Sequence, residues 1–316
     1  MTITLQTFGG VNFRLLKIFA FNRACSLSKP VMSTSQLFDA NMAKRHPIRI
    51  LLVDDNAINL KVASRMLERM GYKVDKATNG IEALQAQQRS GYDLIFMDIQ
   101  MPEMDGVTAT KLIIKKYAQD RPRIVAVTAH AMKGDKERYL QAGMDGYISK
   151  PVRVGRLVEE IEETPCNVTS DDEEKTVIGK MITLDQSTKR LNPSNLPMPV
   201  NFELFADMLG MTMEDVEEML PELVELFITD SVSQIDMMEE AIKTQNYLQL
   251  KNAAHKMKGG AASIAATHIS KTCDLLEKMG LNQNLDRAKV TFEQAKLEFY
   301  RLETWLADFQ LELSSR

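Results

Sequence analysis

Asp98 closes an apolar run, Asp93-Leu-Ile-Phe-Met-Asp98, and three further reactive groups close apolar runs of their own: the pair Asp54-Asp55, then Thr128, then Lys150. Three carboxylates brought together beside a lysine make an all-oxygen site for a divalent cation. One of those carboxylates can then accept a phosphoryl group, because a cation offsets the repulsion between the two sets of anionic oxygens. A second candidate acceptor lies far downstream, where His255 opens the run His255-Lys-Met-Lys258-Gly259-Gly260. The bland alternatives are that Asp54-Asp55 caps a helix, that Lys150 is a surface residue, and that His255 is solvated on a basic helix face.

The elements that must position the first group begin at Ile48. Ile48–Val53 is a continuous apolar strand, and Leu60, Ala63, Leu67 and Met70 follow at helical spacing. Gly71 stops that helix and Tyr72–Val74 is a second strand. Ile81–Gln88 is a helix after the Asn79-Gly80 turn. Asp93–Met97, Arg123–Val127 and Gly146–Ser149 are the third to fifth strands, separated by helices over Val107–Tyr117 and Lys136–Gln141. Val154, Leu157, Val158 and Ile161 form the stripe of a fifth helix. Strands alternating with helices predict an α/β doubly wound, five-stranded parallel sheet covered on both faces. Reactive groups gather at the carboxyl ends of such strands, which is where Asp54, Asp55, Asp98, Thr128 and Lys150 fall.

Residues 162–200 change character, with the acidic block Asp171–Glu174 and the proline-rich Asn192–Pro199. This predicts a linker. From Asn201 the pattern is helical. Leu285, Ala288, Phe292, Ala295, Phe299, Leu302, Leu306 and Phe309 alternate by threes and fours, a seam that a coiled-coil dimer could use but that the amphipathic helices just before it assign to an all-α antiparallel four-helix bundle. On the helix of His255, Leu250, Ala254, Met257, Ala261 and Ile264 make the buried stripe. At ~100° per residue this puts His255, Lys251, Lys258, Gly259 and Ala262 on the exposed side. The expected organisation is an N-terminal extension over 1–46, without order, an α/β domain over 47–161, a linker over 162–200 and a bundle over 201–313.

Composition excludes several classes. The 316 residues carry 39 basic and 43 acidic side chains, a net charge of −4, which gives no footprint for nucleic acid. No run approaches the ~18 apolar residues of a membrane span. Three scattered cysteines without a CxxC pair fit a reducing cytoplasm and neither a zinc site nor a disulfide framework.

With these residues in view, 48–161 resembles the response-regulator receiver family. The motif residues are Asp54-Asp55, Asp98, Met101-Pro-Glu-Met-Asp-Gly106, Thr128-Ala129, Tyr147 and Lys150-Pro151. The resemblance implies a flavodoxin-like fold with Asp98 as phosphoacceptor. It implies Mg²⁺ held by Asp55, Asp98 and the Gln100 carbonyl, with Asp54 assisting through water. Thr128 would bond the phosphoryl group, Lys150 would pair with it, and the Lys150-Pro151 peptide would be cis. Thr128 and Tyr147 would move together as the switch.

Residues 201–311 resemble the histidine-phosphotransfer domain, on the motif Asn252-Ala-Ala-His255-Lys-Met-Lys258-Gly259-Gly260. The resemblance implies His255 as phosphoacceptor, Lys258 as support for the phosphoryl group, and Gly259 as clearance for a docking receiver. One position departs: the family often has glycine ten residues after the histidine, where this chain has Ala265. His46, His130 and His268 lack the lysine-glycine spacing and are expected to be structural or solvated.

The expectation is a phosphorelay protein taking phosphate from a sensor histidine kinase and exchanging it with a downstream response regulator. The stretch Ser35–Pro47 resembles the segment joining a hybrid kinase core to its receiver. No Gly-rich ATP segment occurs, so phosphotransfer rather than kinase activity is expected. The rival reading is a phosphorylation-controlled interaction switch in which His255 is idle or a phosphate sink. A DNA-binding output is disfavoured because the bundle has no basic recognition helix.

Overall fold

The five apolar runs form β1 (Ile50–Val53), β2 (Val74–Ala77), β3 (Leu94–Asp98), β4 (Arg123–Thr128) and β5 (Gly146–Ser149) in a parallel sheet of order β2-β1-β3-β4-β5. The computed structural model describes residues 39–129, 135–166 and 198–314, all within one compact unit. β1 and β3 are buried at every residue and take the centre. Register does the positioning. Val53 lies opposite Met97, so Asp54 and Asp98, one step on, leave the sheet side by side. Thr128 lies opposite Ser149, which brings Lys150 to the same rim.

β2 runs from Val74 to Ala77 instead of Tyr72 to Val74. Its middle residues, Asp75 and Lys76, are exposed at the sheet edge, so alternation marks it poorly. Tyr72 is used below the strand: its ring is buried and its hydroxyl donates to the His46 carbonyl at 2.8 Å.

Helices α1 (Met42–Arg45), α2 (Ala57–Arg69), α3 (Gly80–Ser90), α4 (Gly106–Tyr117), α5 (Asp135–Gln141) and α6 (Val154–Glu162) accompany the sheet. α1 falls within the segment expected to lack order. Met42 is buried and the Ala43 amide donates to the Met70 carbonyl at 3.0 Å, so this end is fastened to α2. Residues 1–38, which hold the rest of that segment, lie outside the described residues, as do 167–197 of the expected linker and His130. His46 Nε2 lies 2.7 Å from the Thr164 carbonyl and Nδ1 lies 3.2 Å from Cys166 Sγ, which fits the structural role expected of it.

The bundle comprises α7 (Phe202–Leu209), α8 (Met213–Lys243), α9 (Tyr247–Ser263), α10 (Thr267–Leu281) and α11 (Ala288–Ser314). Thr212 starts α8 with a capping box to Asp215. The α11 stripe is buried from Ala288 to Leu306. Leu285 precedes the helix and packs on the core from outside it. Phe227 of α8 meets Phe299 of α11 with ring centroids 6.3 Å apart. Ala265, at the turn after α9, has φ 55°. Among the described residues no helix is long and apolar enough to cross a membrane.

The bundle packs on α2 through α8 and α9, and apolar side chains from both sides form one cluster.

Candidate functional site

The acid pocket is built at the ends of β1, β3 and β5. Asp54 and Asp98 are buried, Asp55 half-buried, and their oxygens can come within 4.8 Å of one another. Lys150 Nζ sits between two of them, 2.7 Å from Asp54 Oδ2 and 2.7 Å from Asp98 Oδ2. The Gln100 amide donates to Asp98 Oδ1 at 3.3 Å. The Lys150-Pro151 peptide is cis. Gly106 is needed beneath Asp98, because a Cβ there would stand 2.0 Å from the Asp98 carbonyl oxygen.

The electrostatics are those of an anionic site short of positive charge. Burial pushes the Asp98 carboxyl up to about 7; Lys150 opposes this, while Asp54 and Asp55 reinforce it. Burial and the Asp54 charge push Asp55 up to about 6. Burial works against the Lys150 ammonium, but Asp54 and Asp98 outweigh it and hold its pKa above the usual lysine value. The donor set is entirely oxygen, which suits a hard divalent cation such as Mg²⁺.

Thr128 ends β4, buried, with its hydroxyl 3.2 Å from the Tyr139 hydroxyl. Its carbonyl accepts the Lys150 amide at 2.7 Å. Tyr147 is half-buried against the same side of the sheet.

The second site lies on α9. His255 Nδ1 is 2.8 Å from Glu277 Oε1 on α10. Lys258 Nζ pairs with Asp274 Oδ1 at 3.2 Å and closely with Glu277 Oε2. Burial outweighs the Glu277 hydrogen bond and holds the His255 pKa below the usual imidazole value, with Lys150 and Lys258 adding to the effect. Burial also opposes ionisation of Glu277, yet His255 and Lys258 pull that carboxyl down to about 2. At neutral pH the imidazole is therefore neutral, with Lys258 the cation that keeps Glu277 ionised. An ionised Glu277 only accepts hydrogen bonds, so Nδ1 carries the proton and Nε2 keeps its lone pair.

The two sites face one another. Asn56, the neighbour of Asp55, donates from Nδ2 to the carbonyl of Lys256, the neighbour of His255, at 3.1 Å. Ile58 inserts beside Phe227: a Cβ on Gly260 would stand 3.0 Å from Ile58 Cδ1 and 3.1 Å from Phe227 Cδ2. At Gly259 a Cβ would meet Asn59 Nδ2 at 3.5 Å, an ordinary contact, so the tight approach is at Gly260. At the rim Lys61 pairs with Glu222, Arg69 with Asp215 at 3.6 Å and Arg153 with Asp207 at 2.7 Å. Each pair sets a cation of the α/β domain against an acid of the bundle.

The expectation of an exposed α9 face is corrected here. Lys258 is buried against Asp274 and Glu277 of α10, and Gly259 and Gly260 are buried where Asn59 and Ile58 of α2 approach the helix. His268 is exposed on α10, away from any lysine-glycine pattern.

Comparison with known proteins fits this architecture. A response regulator receiver domain model matches residues 50–162, and an Hpt domain model matches 222–310. The chain belongs to the response-regulator receiver family, with a histidine-phosphotransfer domain following the receiver. The polar-differentiation response regulator DivK of Brucella anthropi is 41% identical over 116 residues, 37% of this chain and 94% of that protein. The aerobic respiration control sensor protein ArcB of Escherichia coli K12 is 30% identical over 275 residues, 85% of this chain and 33% of ArcB. The chain thus spans about a third of that relative's length. The solved receiver domain of sensor histidine kinase PA1611 from Pseudomonas aeruginosa PAO1, described with magnesium in its active-site cleft, is 39% identical. It covers 37% of this chain and 96% of that one, with a TM-score of 0.35. Receiver and phosphotransfer domains in one chain make it a phosphorelay protein.

Sequence reading missed Glu277, Asp274, Asn56, Asn59 and Ser263. Glu277 stands 22 residues from His255, a distance that means nothing until α9 and α10 are folded back antiparallel. The asparagines pass in sequence as helix-start residues.

Proposed function

We propose that phosphoryl groups pass from Asp98 to His255 within one chain. A kinase phosphohistidine supplies the group: an Asp98 oxygen attacks phosphorus, and the P–N bond breaks as the imidazole leaves. His255 Nε2 then attacks the Asp98 acyl phosphate, and the P–O bond breaks as the carboxylate leaves. The proton stays on Nδ1, shared with Glu277. Asp54, Asp55 and Asp98, with the Gln100 carbonyl, would hold Mg²⁺, which supplies charge neutralisation between the carboxylate and phosphoryl oxygens. Lys150 adds a point charge to the same oxygens, Thr128 bonds the phosphoryl group, and Tyr147 follows it as the switch. Lys258 exchanges a carboxylate partner for the phosphoryl group once it reaches His255.

The single observation behind this reading is the Asn56–Lys256 hydrogen bond, which joins the residue beside Asp55 to the residue beside His255. It brings donor and acceptor into one interface without a second molecule. His255 would then serve a separate response regulator in the cytoplasm.

Phosphate mapping tests the proposal. The chain is loaded with Mg²⁺ and acetyl phosphate, and acid-labile and base-labile phosphate are followed in wild type, Asp98→Ala and His255→Gln. Acid-labile phosphate on His255 that disappears in Asp98→Ala is the expected result. Phosphate confined to Asp98 would reject it.

A further inference from the structure

Asn59 occupies a buried position between the acid pocket and the bundle, and it bonds in both directions. Its Nδ2 donates to Asp54 Oδ1 at 2.9 Å and to Asp54 Oδ2 at 3.2 Å. Its Oδ1 accepts from Ser263 Oγ on α9 at 2.7 Å. Asn59 and Ser263 are 8% and 5% exposed, so neither hydrogen bond competes freely with water.

The chemistry of the amide makes this bridge directional. Both Asp54 carboxylate oxygens accept from Asn59 Nδ2, which takes up the NH₂ end of the amide and turns the carbonyl end to the bundle. The bundle must then present a donor at that point. The Ser263 hydroxyl is such a donor. An apolar or carboxylate side chain there would leave the Asn59 carbonyl buried without a matching partner, a penalty that separates right from wrong partners.

We propose that Asn59 and Ser263 form a specificity and positioning pair, by which the receiver selects this bundle as its phosphoryl partner. This rests on the transfer from Asp98 to His255 proposed above. The pair acts through placement: Asp54 orients Asn59, Asn59 fixes Ser263, and Ser263 sets the register of α9 and so the approach of His255. Neither residue touches the phosphoryl group.

The test uses the full chain. Asp98 is preloaded with acetyl phosphate, and the first-order appearance of phosphate on His255 is followed in a single turnover. Ser263→Ala is expected to slow transfer about tenfold, the scale of one buried hydrogen bond lost with its partner left in place. Ser263→Thr, which restores the hydroxyl, is expected to recover most of the rate. Asn59→Leu combined with Ser263→Ala is expected to be no slower than Asn59→Leu alone, because one interaction cannot be lost twice.

Amide hydrogen exchange across α2 and α9 in the same proteins supplies the second readout, with faster exchange expected in Ser263→Ala and protection regained in Ser263→Thr. Transfer at the wild-type rate in Ser263→Ala, or fully additive losses, would overturn the pair while leaving the relay intact. Exchange that responds to Ser263 in a wild-type chain showing no transfer would reject the relay and keep the docking pair. Neither readout responding would remove both.

Discussion

His255 and Glu277 meet across the antiparallel pair α9 and α10, with imidazole Nδ1 2.8 Å from a carboxylate oxygen that is also paired, through its fellow oxygen, with Lys258. One glutamate therefore sets the imidazole tautomer and restrains the lysine. Glu277→Ala is expected to slow phosphoryl uptake at His255 by about 100-fold, the lower end of the range for groups that manage a proton in a transfer step. Glu277→Gln should lose less, because the amide oxygen still accepts the Nδ1 proton. Rates of transfer from preloaded Asp98 measure both.

The same burial makes a pH prediction. The folded pKa of His255 lies below that of a free imidazole. As pH falls below about 6.5, the unfolded chain takes up a proton that the folded chain resists. Protons bound in the unfolded state then exceed those in the folded state, so this histidine lowers stability as pH falls and restores it as pH rises. Stability by urea unfolding at pH 7.5 minus that at pH 5.5 should be less positive in His255→Gln than in wild type, whatever the opposing contribution of the raised Asp55 and Asp98 carboxyls common to both. An unchanged difference would place the titration elsewhere.

Gly260 and Gly259 separate docking from helix stability. Alanine at either position should favour α9 by up to ~1 kcal/mol in isolation. At 260, however, the new methyl enters the space of Ile58, Phe227 and Asn56. Gly260→Ala is expected to slow transfer from Asp98 to His255 by about 3- to 10-fold, from crowding of order 1 kcal/mol. Gly259→Ala, in ordinary contact with Asn59, should transfer at close to the wild-type rate. Equal effects from the two would contradict the docked geometry.

Ala265 carries a backbone cost visible in its φ of 55°. A left-handed conformation costs a non-glycine residue roughly 1–2 kcal/mol, and the greater freedom of glycine in the unfolded chain offsets part of that. Ala265→Gly is expected to stabilise the protein by about 0.5–1 kcal/mol, seen as a higher urea midpoint at unchanged slope.

The receiver was legible in the sequence because Asp54, Asp98 and Thr128 close buried runs and Lys150 follows β5, and a parallel sheet must put such ends on one rim. Spacing puts the edge strand β2 at Tyr72–Val74 because Asp75 and Lys76 face water and break its apolar pattern, while the buried Tyr72 precedes it. The α9 stripe from Leu250 to Ile264 was legible from spacing alone. Its opposite face was not. Lys258 and Gly259 fall on the side that spacing assigns to solvent, and only the carboxylates of α10 and the arrival of α2 bury them. Glu277 was hidden for a related reason: its partnership with His255 belongs to the fold of two helices and leaves no periodic trace in either.

Placing its own receiver over His255 gives the bundle a single landing place. On the transfer proposed above, a regulator collecting the phosphate would need the surface that α2 occupies, so delivery and collection would exclude each other in time. The chain would then work as a turnstile. Its output would be bounded by how often α2 lifts away, however abundant the regulator, and a tighter internal fit would make loading faster and unloading slower.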